Sequence, residues 1–440
     1  MSKNVKNFRV HFIGVNGAGM SVLCSLLLTK NFTVSGSDIK RTSVTCELEK
    51  RGLTFYLGHD KQNVKNADVV IYSSAISENN EELVFAKKMK KAVYSRAELL
   101  KLVIDCYKKS IGISGSHGKT TVTSMLSNVL HYSNLSPTCL IGGEDCNLGS
   151  FLSGNKNILV SEICEFNKNV KDIKTKYTAC LNVDNDHLDS YGSIENLKME
   201  FFNYLDRSKI KFINLDDKFL CDYKGKNIVT YAIENQSTFK AENLTIENNK
   251  YQFDLYVKSE FKHKFKLNVV GKHNVYNALC VIAIAKTVFN LEYKTIYEGL
   301  LQFKGVKRRM EVLGSIEDKT IIADYAHHPT EIKSTINTVK EVYHNNYLLV
   351  FQPHTYSRTK LLYDEFLAVL KGENVIVFKE YPARENYDYL GSSERLASEL
   401  NADYVEEFEK LMEKIKSCKS NNVIVIGAGD LYDLVKEKIC

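Results

Sequence analysis

Apolar positions recur along this chain in two rhythms: short unbroken runs, and longer stretches at helical spacing. The clearest pairing of the two lies at residues 110–130. Residues 110–113 predict a short buried strand, and Gly115 to Gly118 a glycine-rich turn. Val122, Met125, Leu126, Val129 and Leu130 then recur at i, i+3, i+4, i+7 and i+8, the face of an amphipathic helix.

The same order appears at the start of the chain. Residues 9–15 predict a buried strand, 14–20 a turn and 21–28 a helix, and a second strand at 32–35 ends in Gly36-Ser37-Asp38. Further strands are predicted at 53–56 and 69–72. In the middle of the chain, residues 158–165 and 179–189 are buried strands running into carboxylates. Between 212 and 265 the runs shorten and alternate, with turns such as Glu247-Asn248-Asn249, and predict appended antiparallel strands. An apolar helix follows to Val288. From residue 313 onward strands at 320–324, 347–351, 374–378 and 422–426 alternate with helices, the pattern of a doubly wound sheet. The predicted class is α/β in three domains. Residues 1–105 are Rossmann-like, 106–312 form a central P-loop ATPase-like α/β domain with appended antiparallel strands, and 313–440 are again Rossmann-like.

Composition bounds the reading more than it directs it. A chain of 440 residues suggests about three domains. With 44% hydrophobic and 25% charged residues it is composed like an ordinary soluble globular protein. The net charge of +6 is spread over 59 basic and 53 acidic residues, so it calls for no nucleic acid. Lys87-Lys88-x-Lys90-Lys91 reads as a solvated helix face. Eleven scattered cysteines without a Cys-x-x-Cys pair suggest reduced thiols and a cytoplasmic location. No apolar run reaches the ~18 residues of a membrane helix, and residues 1–6 lack the apolar core of a signal peptide.

The candidate chemistry centres on Ile111 to Thr121. Gly115 and Gly118 let backbone N–H groups approach an anion, and the following helix presents its N-terminal dipole to it. Lys119 can reach outer phosphates, and the Thr120 hydroxyl can ligate Mg²⁺. The preceding glycine, Gly112, stands one residue too far upstream for a strict Walker A motif. Glu162 and His187 end or follow strands, where a side chain can hold Mg²⁺ against the phosphates; helix capping or a salt bridge would explain them equally. Asn274 and Asn277 offer donor and acceptor to adenine, although Asn274 could instead cap its helix. In the first domain Asn16 replaces the second glycine of Gly-x-Gly-x-x-Gly, which leaves a plain βαβ unit and a nucleotide site equally open. Adjacent His327 and His328 point apart on an extended segment, so one of them is expected to be structural. Arg358 can hold a carboxylate through its planar fork.

Residues 14–21, 115–121, 162–165, 182–189, 271–277, 305–309, 324–331 and 352–359, in this order, resemble the Mur ligases of bacterial cell-wall synthesis over the whole chain. The resemblance implies an ATP- and Mg²⁺-dependent ligase. Its first domain would hold a UDP-sugar, its central domain ATP and its last an amino acid. The turn Gly17-Ala18-Gly19-Met20 and the run Lys307-Arg308-Arg309 look most like the member that joins L-alanine to UDP-N-acetylmuramate. A sister ligase that adds a preformed peptide, a non-catalytic nucleotide-sugar sensor and a nicotinamide oxidoreductase are the competing readings. The expected oligomeric state is a monomer or a weak homodimer.

Residue by residue, the resemblance places Gly115, Ser116, His117, Gly118, Lys119, Thr120 and Thr121 on the ATP phosphates. Thr120 and Glu162 would ligate one Mg²⁺ and His187 a second, with Lys119, Glu162 and His187 forming the catalytic set. His273, Asn274 and Asn277 would face adenine, Asp324 the ribose, and Arg309 the phosphates. Asn16, Gly17, Ala18, Gly19 and Met20 would lie on the UDP diphosphate, with Asp38 and Ser74 near the uridine. His327, His354 and Arg358 would line the alanine pocket. Three positions depart from the family pattern. Phe201 stands near a lysine that some relatives carbamylate, Ala323 replaces a frequent Asp, and Thr355 a frequent Arg.

Overall fold

The computed structural model describes residues 8–164, 170–185 and 191–439. They form three sheets in an α/β arrangement. By internal contact the chain divides into two compact units. The first holds residues 1–243, 253–265 and 276–304, and the second holds 244–252, 266–275 and 305–440.

The first sheet contains β1 (Arg9–Ile13), β2 (Thr33–Asp38), β3 (Thr54–Leu57), β4 (Val69–Tyr72) and β5 (Ala92–Ser95). Its order is β3-β2-β1-β4-β5 and every pairing is parallel. The order reverses between β1 and β4, the position at which open α/β sheets build their sites. The helix Ala18–Thr29 follows β1 and buries Met20, Val22, Leu23, Leu26 and Leu27. On the opposite face Glu82 is fully buried. It accepts hydrogen bonds from Ser37 Oγ at 2.6 Å and Asn63 Nδ2 at 2.7 Å, and His59 Nδ1 lies 3.0 Å away. Burial pushes its carboxyl up, but the bonds from His11, His59 and Ser37 outweigh that and hold it at about 2.

The second sheet contains β6 (Lys109–Ser114), β7 (Thr138–Asp145), β8 (Gly149–Leu152), β9 (Ile158–Glu162), β10 (Tyr177–Cys180), β11 (Ile210–Asn214), β12 (Ile228–Ala232), β13 (Phe239–Glu247), β14 (Lys250–Val257) and β15 (Glu260–Lys266). Its order is β15-β14-β13-β12-β11-β10-β6-β9-β7-β8. β6 sits between β10 and β9, parallel to both, so the turn that follows it opens at the middle of the parallel portion. The stretch from 212 to 265 departs from the antiparallel expectation. β11 and β12 extend the parallel sheet, and even β12 and β13 pair in parallel. Only the β13–β14 and β14–β15 links are hairpins, with positive φ at Asn248 and Asn249 and at Lys258 and Ser259.

The third sheet contains β16 (Glu311–Ile316), β17 (Lys319–Asp324), β18 (Tyr347–Phe351), β19 (Val375–Phe378), β20 (Asp403–Val405) and β21 (Asn422–Ile426). Its order is β16-β17-β21-β18-β19-β20, with β16 alone antiparallel to its neighbour. Apolar clusters cover both faces. Two strands and the helices Tyr356–Leu361, Phe408–Ser417 and Leu431–Ile439 went unpredicted. β16 is half-exposed and carries no continuous apolar run, and β20 has only three residues.

Candidate active site: a phosphate loop and its supports

β6 delivers the chain into the turn, and Gly118 begins the helix Lys119–Tyr132 with no side-chain cap. Gly115 and Gly118 have φ of +127° and +84°, which a side chain rarely adopts. Space for a side chain is tight as well. A Cβ on Gly115 would lie 3.0 Å from Leu181 N, and one on Gly118 would lie 3.0 Å from Asn277 Oδ1. The first intrahelical bond runs from Val122 N to Gly118 O, so the N–H groups of residues 119–121 come before it at the positive end of the helix. Lys119 Nζ bends back over the turn, donating to Gly115 O and, at 2.9 Å, to Ser116 O.

The amides of Ser116 and His117 are employed differently from the expectation that the whole turn offers its N–H groups to an anion. Ser116 N donates to Asn182 O at 3.2 Å, and His117 N to Asn182 Oδ1 at 2.8 Å. Asn182 Nδ2 donates in return to His117 O at 3.1 Å. Asp184 N donates to Ser116 Oγ at 2.9 Å, and the Asp184 carboxylate meets His117 Nε2 at 2.8 Å. The chain after β10 is thus a strap against the first half of the loop. Sequence reading assigned it no such role.

Glu162 ends β9, where the Thr120 hydroxyl donates to its Oε2 at 3.1 Å and Gly142 N donates to its Oε1. A hydroxyl and a carboxylate side by side at a helix N-terminus are hard oxygen donors of the kind Mg²⁺ takes, and glycines line the approach. The observed side chains therefore fit a nucleotide with a divalent cation. His187 lies outside the described residues. Phe201 is buried in an apolar cluster with Leu197 and Leu205 and is a core residue. Asn277 is buried, with its Oδ1 beside Gly118. Asn274 is also buried, and its Nδ2 donates to Val270 O at 2.7 Å, a bond that closes the turn ahead of its own helix.

In the second unit Asp324 ends β17 and is buried. Its Oδ1 accepts from Ala326 N at 2.9 Å and Thr335 Oγ1 at 3.1 Å, and its Oδ2 accepts from Met310 N at 2.9 Å. Burial pushes this carboxyl above its ordinary range, against the pull of Arg309. Arg309 reaches Glu331 at 3.5 Å and lies 5.4 Å over the Tyr325 ring. His273 Nδ1 lies 3.0 Å from Ser334 Oγ. His328 is the structural member of the histidine pair: it is fully buried, and its Nδ1 accepts from Thr330 N at the start of the helix Pro329–Tyr343. His327 lies 6.0 Å from the ring of His354, which stacks on Tyr381 at 5.6 Å. His354 Nδ1 is buried without a hydrogen-bond partner among the described residues. Burial, helped by His327 and Arg358, lowers its pKa to about 4, so the ring is neutral at ordinary pH. Thr355 caps the helix Tyr356–Leu361, which carries Arg358, from a φ of +66°.

In the first sheet Asn16 N donates to Asp38 Oδ2 at 3.0 Å, and Ile39 N donates to Asp38 Oδ1 at 2.8 Å. The Asn16 side chain is taken up locally. Its Oδ1 accepts from Thr42 and Thr45 hydroxyls at 3.1 and 2.6 Å, and its Nδ2 donates to Lys40 O at 2.7 Å. Gly17 starts the helix Ala18–Thr29 with no side-chain cap and no acid in the first turn. The Arg96 side chain crosses this end so closely that a Cβ on Gly19 would meet its Nη1 at 3.0 Å. Nothing near Arg96 in the sequence announced that placement. Ser74 is exposed in the turn after β4.

A phosphate loop on a parallel sheet, with two further α/β sheets in the same chain, defines a nucleotide-using α/β protein. The chain belongs to the Mur ligase family. Residues 9–107 match the Mur ligase family catalytic domain, 113–285 the Mur ligase middle domain, and 308–429 the Mur ligase glutamate ligase domain. It is 38% identical to the UDP-N-acetylmuramate–L-alanine ligase of Clostridium acetobutylicum, across 98% of this chain and 97% of that one. Identity to the same-named protein of Caldicellulosiruptor saccharolyticus is 37%, covering 96% of each. The solved UDP-N-acetylmuramate-alanine ligase of Thermotoga maritima superposes with a TM-score of 0.83 at 27% identity, covering 98% of both chains. A murein peptide ligase of Psychrobacter arcticus shares the fold, with a TM-score of 0.75 at 20% identity over 98% of each.

Proposed function

We propose that this chain joins L-alanine to the lactyl carboxylate of UDP-N-acetylmuramate with cleavage of ATP, the first stem-peptide step of peptidoglycan synthesis. The observation that carries the reading is the glycine-lined turn with Lys119 over it and Thr120 against Glu162. Thr120 and Glu162 would hold a magnesium ion, which when bound neutralises charge on the phosphoryl oxygens. The substrate carboxylate attacks the γ-phosphorus and ADP leaves. The alanine amine then attacks the acyl phosphate, and phosphate leaves the tetrahedral intermediate. Lys119 and the amides of residues 119–121 stabilise charge as it develops during the first transfer, usually the largest catalytic term.

Residues 1–105 take the UDP-sugar in this reading, 106–312 ATP and 313–440 the amino acid. Arg96 beside Gly19 brings a guanidinium to the uncapped end of Ala18–Thr29, where a diphosphate would be held. The neutral His354 ring with its open Nδ1, near His327 and Arg358, suits a small zwitterion: the guanidinium takes its carboxylate, and an imidazole nitrogen accepts from its amine. The test is phosphate release from ATP with UDP-N-acetylmuramate against each free amino acid and a stem tripeptide. L-alanine is expected to be strongly preferred. A preference for glycine, serine or the tripeptide would refute the substrate assignment.

A further inference from the structure

We infer that Asn182 is a positioning residue for phosphoryl transfer, one that holds the phosphate loop through the main-chain N–H and C=O of His117. The inference rests on the ATP-dependent reading above. The Asn182 carboxamide pairs with both main-chain polar groups of one loop residue, accepting from His117 N at 2.8 Å and donating to His117 O at 3.1 Å. Its main-chain oxygen accepts from Ser116 N at 3.2 Å. Its own amide nitrogen lies so near the turn that a Cβ on Gly115 would stand 3.1 Å from it.

The effect is electrostatic. A carbonyl oxygen facing a polyphosphate repels it, and the loop has three carbonyls in succession before Gly118. Lys119 Nζ occupies those of Gly115 and Ser116, and Asn182 Nδ2 occupies that of His117. Lys119 must turn to a phosphate oxygen in order to act, and its hold on the first two then loosens. The Asn182 pair remains, seconded by the bond from Asp184 N to Ser116 Oγ at 2.9 Å. The loop therefore keeps its shape at the moment the lysine leaves it. Asn182 touches no reacting atom in this account, so its contribution is confined to the phosphate part of the nucleotide.

Calorimetric titration of wild type and Asn182→Ala with ATP and, separately, with adenosine, both in excess magnesium, tests this. ATP affinity is expected to fall about tenfold, as loss of a hydrogen-bonded clamp would allow. Adenosine affinity, the KM for UDP-N-acetylmuramate and the KM for L-alanine should be unchanged. Ser116→Ala, which removes the hydroxyl that accepts from Asp184 N and donates to Asp184 O but leaves the Asn182 pair in place, should show a smaller loss with the same selectivity. It serves as the readout if Asn182→Ala does not fold. Equal weakening of ATP and adenosine in both variants would mean a structural role only and overturn the inference, as would unaltered ATP affinity. A wild-type chain that binds no ATP would overturn the ligase reading and the clamp with it. Binding of ATP with a different amino-acid preference would leave the clamp standing and refute only the substrate.

Discussion

Lys119 and His354 show how differently two residues can be legible. Lys119 stands in a glycine-rich turn before an amphipathic helix, a local arrangement that names its own chemistry. The expected result of Lys119→Ala is a fall in turnover of roughly 10²-fold or more in the phosphate-release assay, as for loss of one charge-stabilising donor elsewhere. Wild-type release would remove Lys119 from the mechanism. His354 could be suspected from sequence, but not its protonation state, which depends on burial and on what surrounds the ring. Its pKa in the folded protein, about 4, lies below the ordinary 6.5. As pH falls through that interval the unfolded chain takes up a proton that the folded one refuses, so the associated stability, complete above about 6.5, is lost progressively toward 4. Urea midpoints measured from pH 7.5 to 4.5 should fall less steeply in His354→Phe than in wild type. Parallel slopes would mean that the ring titrates normally. Asn16 teaches a related lesson: its identity broke the glycine fingerprint, yet only the folded chain reveals that Lys40, Thr42 and Thr45 consume its side chain.

Strand, turn and helix at 109–132 were predicted from apolar spacing and the turn glycines, which are local signals, although β6 is bonded to β9 and β10 and the turn to Asn182. Gly112 was noticed for the wrong reason. It contributes nothing to a Walker-type turn; it sits inside β6, where a Cβ would lie 2.2 Å from the Tyr204 hydroxyl and 2.8 Å from Thr175 Oγ1. Gly112→Ala should therefore destabilise the protein by about 1–3 kcal/mol through overpacking, read as a lowered denaturant midpoint with an unchanged slope. An unaffected midpoint would show that Tyr204 moves aside freely. The segment from β11 to β13 was misread because short alternating runs fit a parallel strand as well as an antiparallel one. The direction of pairing is a long-range property that alternation does not encode.

For the whole molecule, ligand binding is the useful probe. Excess MgATP at a hundredfold its dissociation constant should raise the stability of the folded chain by about 2.7 kcal/mol, by mass action alone. Thermal unfolding with and without MgATP measures this, and the Lys119→Ala protein should show a smaller shift. A wild-type melting curve indifferent to MgATP would contradict the central claim. The family likeness spans nearly the whole chain, in keeping with motifs spread from Gly14 to Thr359 rather than gathered in one segment.

The run of strand, turn and helix at 109–132 and the positions of its turn glycines were legible in the sequence itself, since periodicity and turn residues act within a few positions of one another. The tertiary structure alone decided that β21, last in the chain, lies between β17 and β18. It alone brought Asn182 to His117 across a sequence separation of 65, and Arg96 to Gly19. Those pairings depend on which distant surfaces bury each other, a property of the assembled core that no local pattern carries.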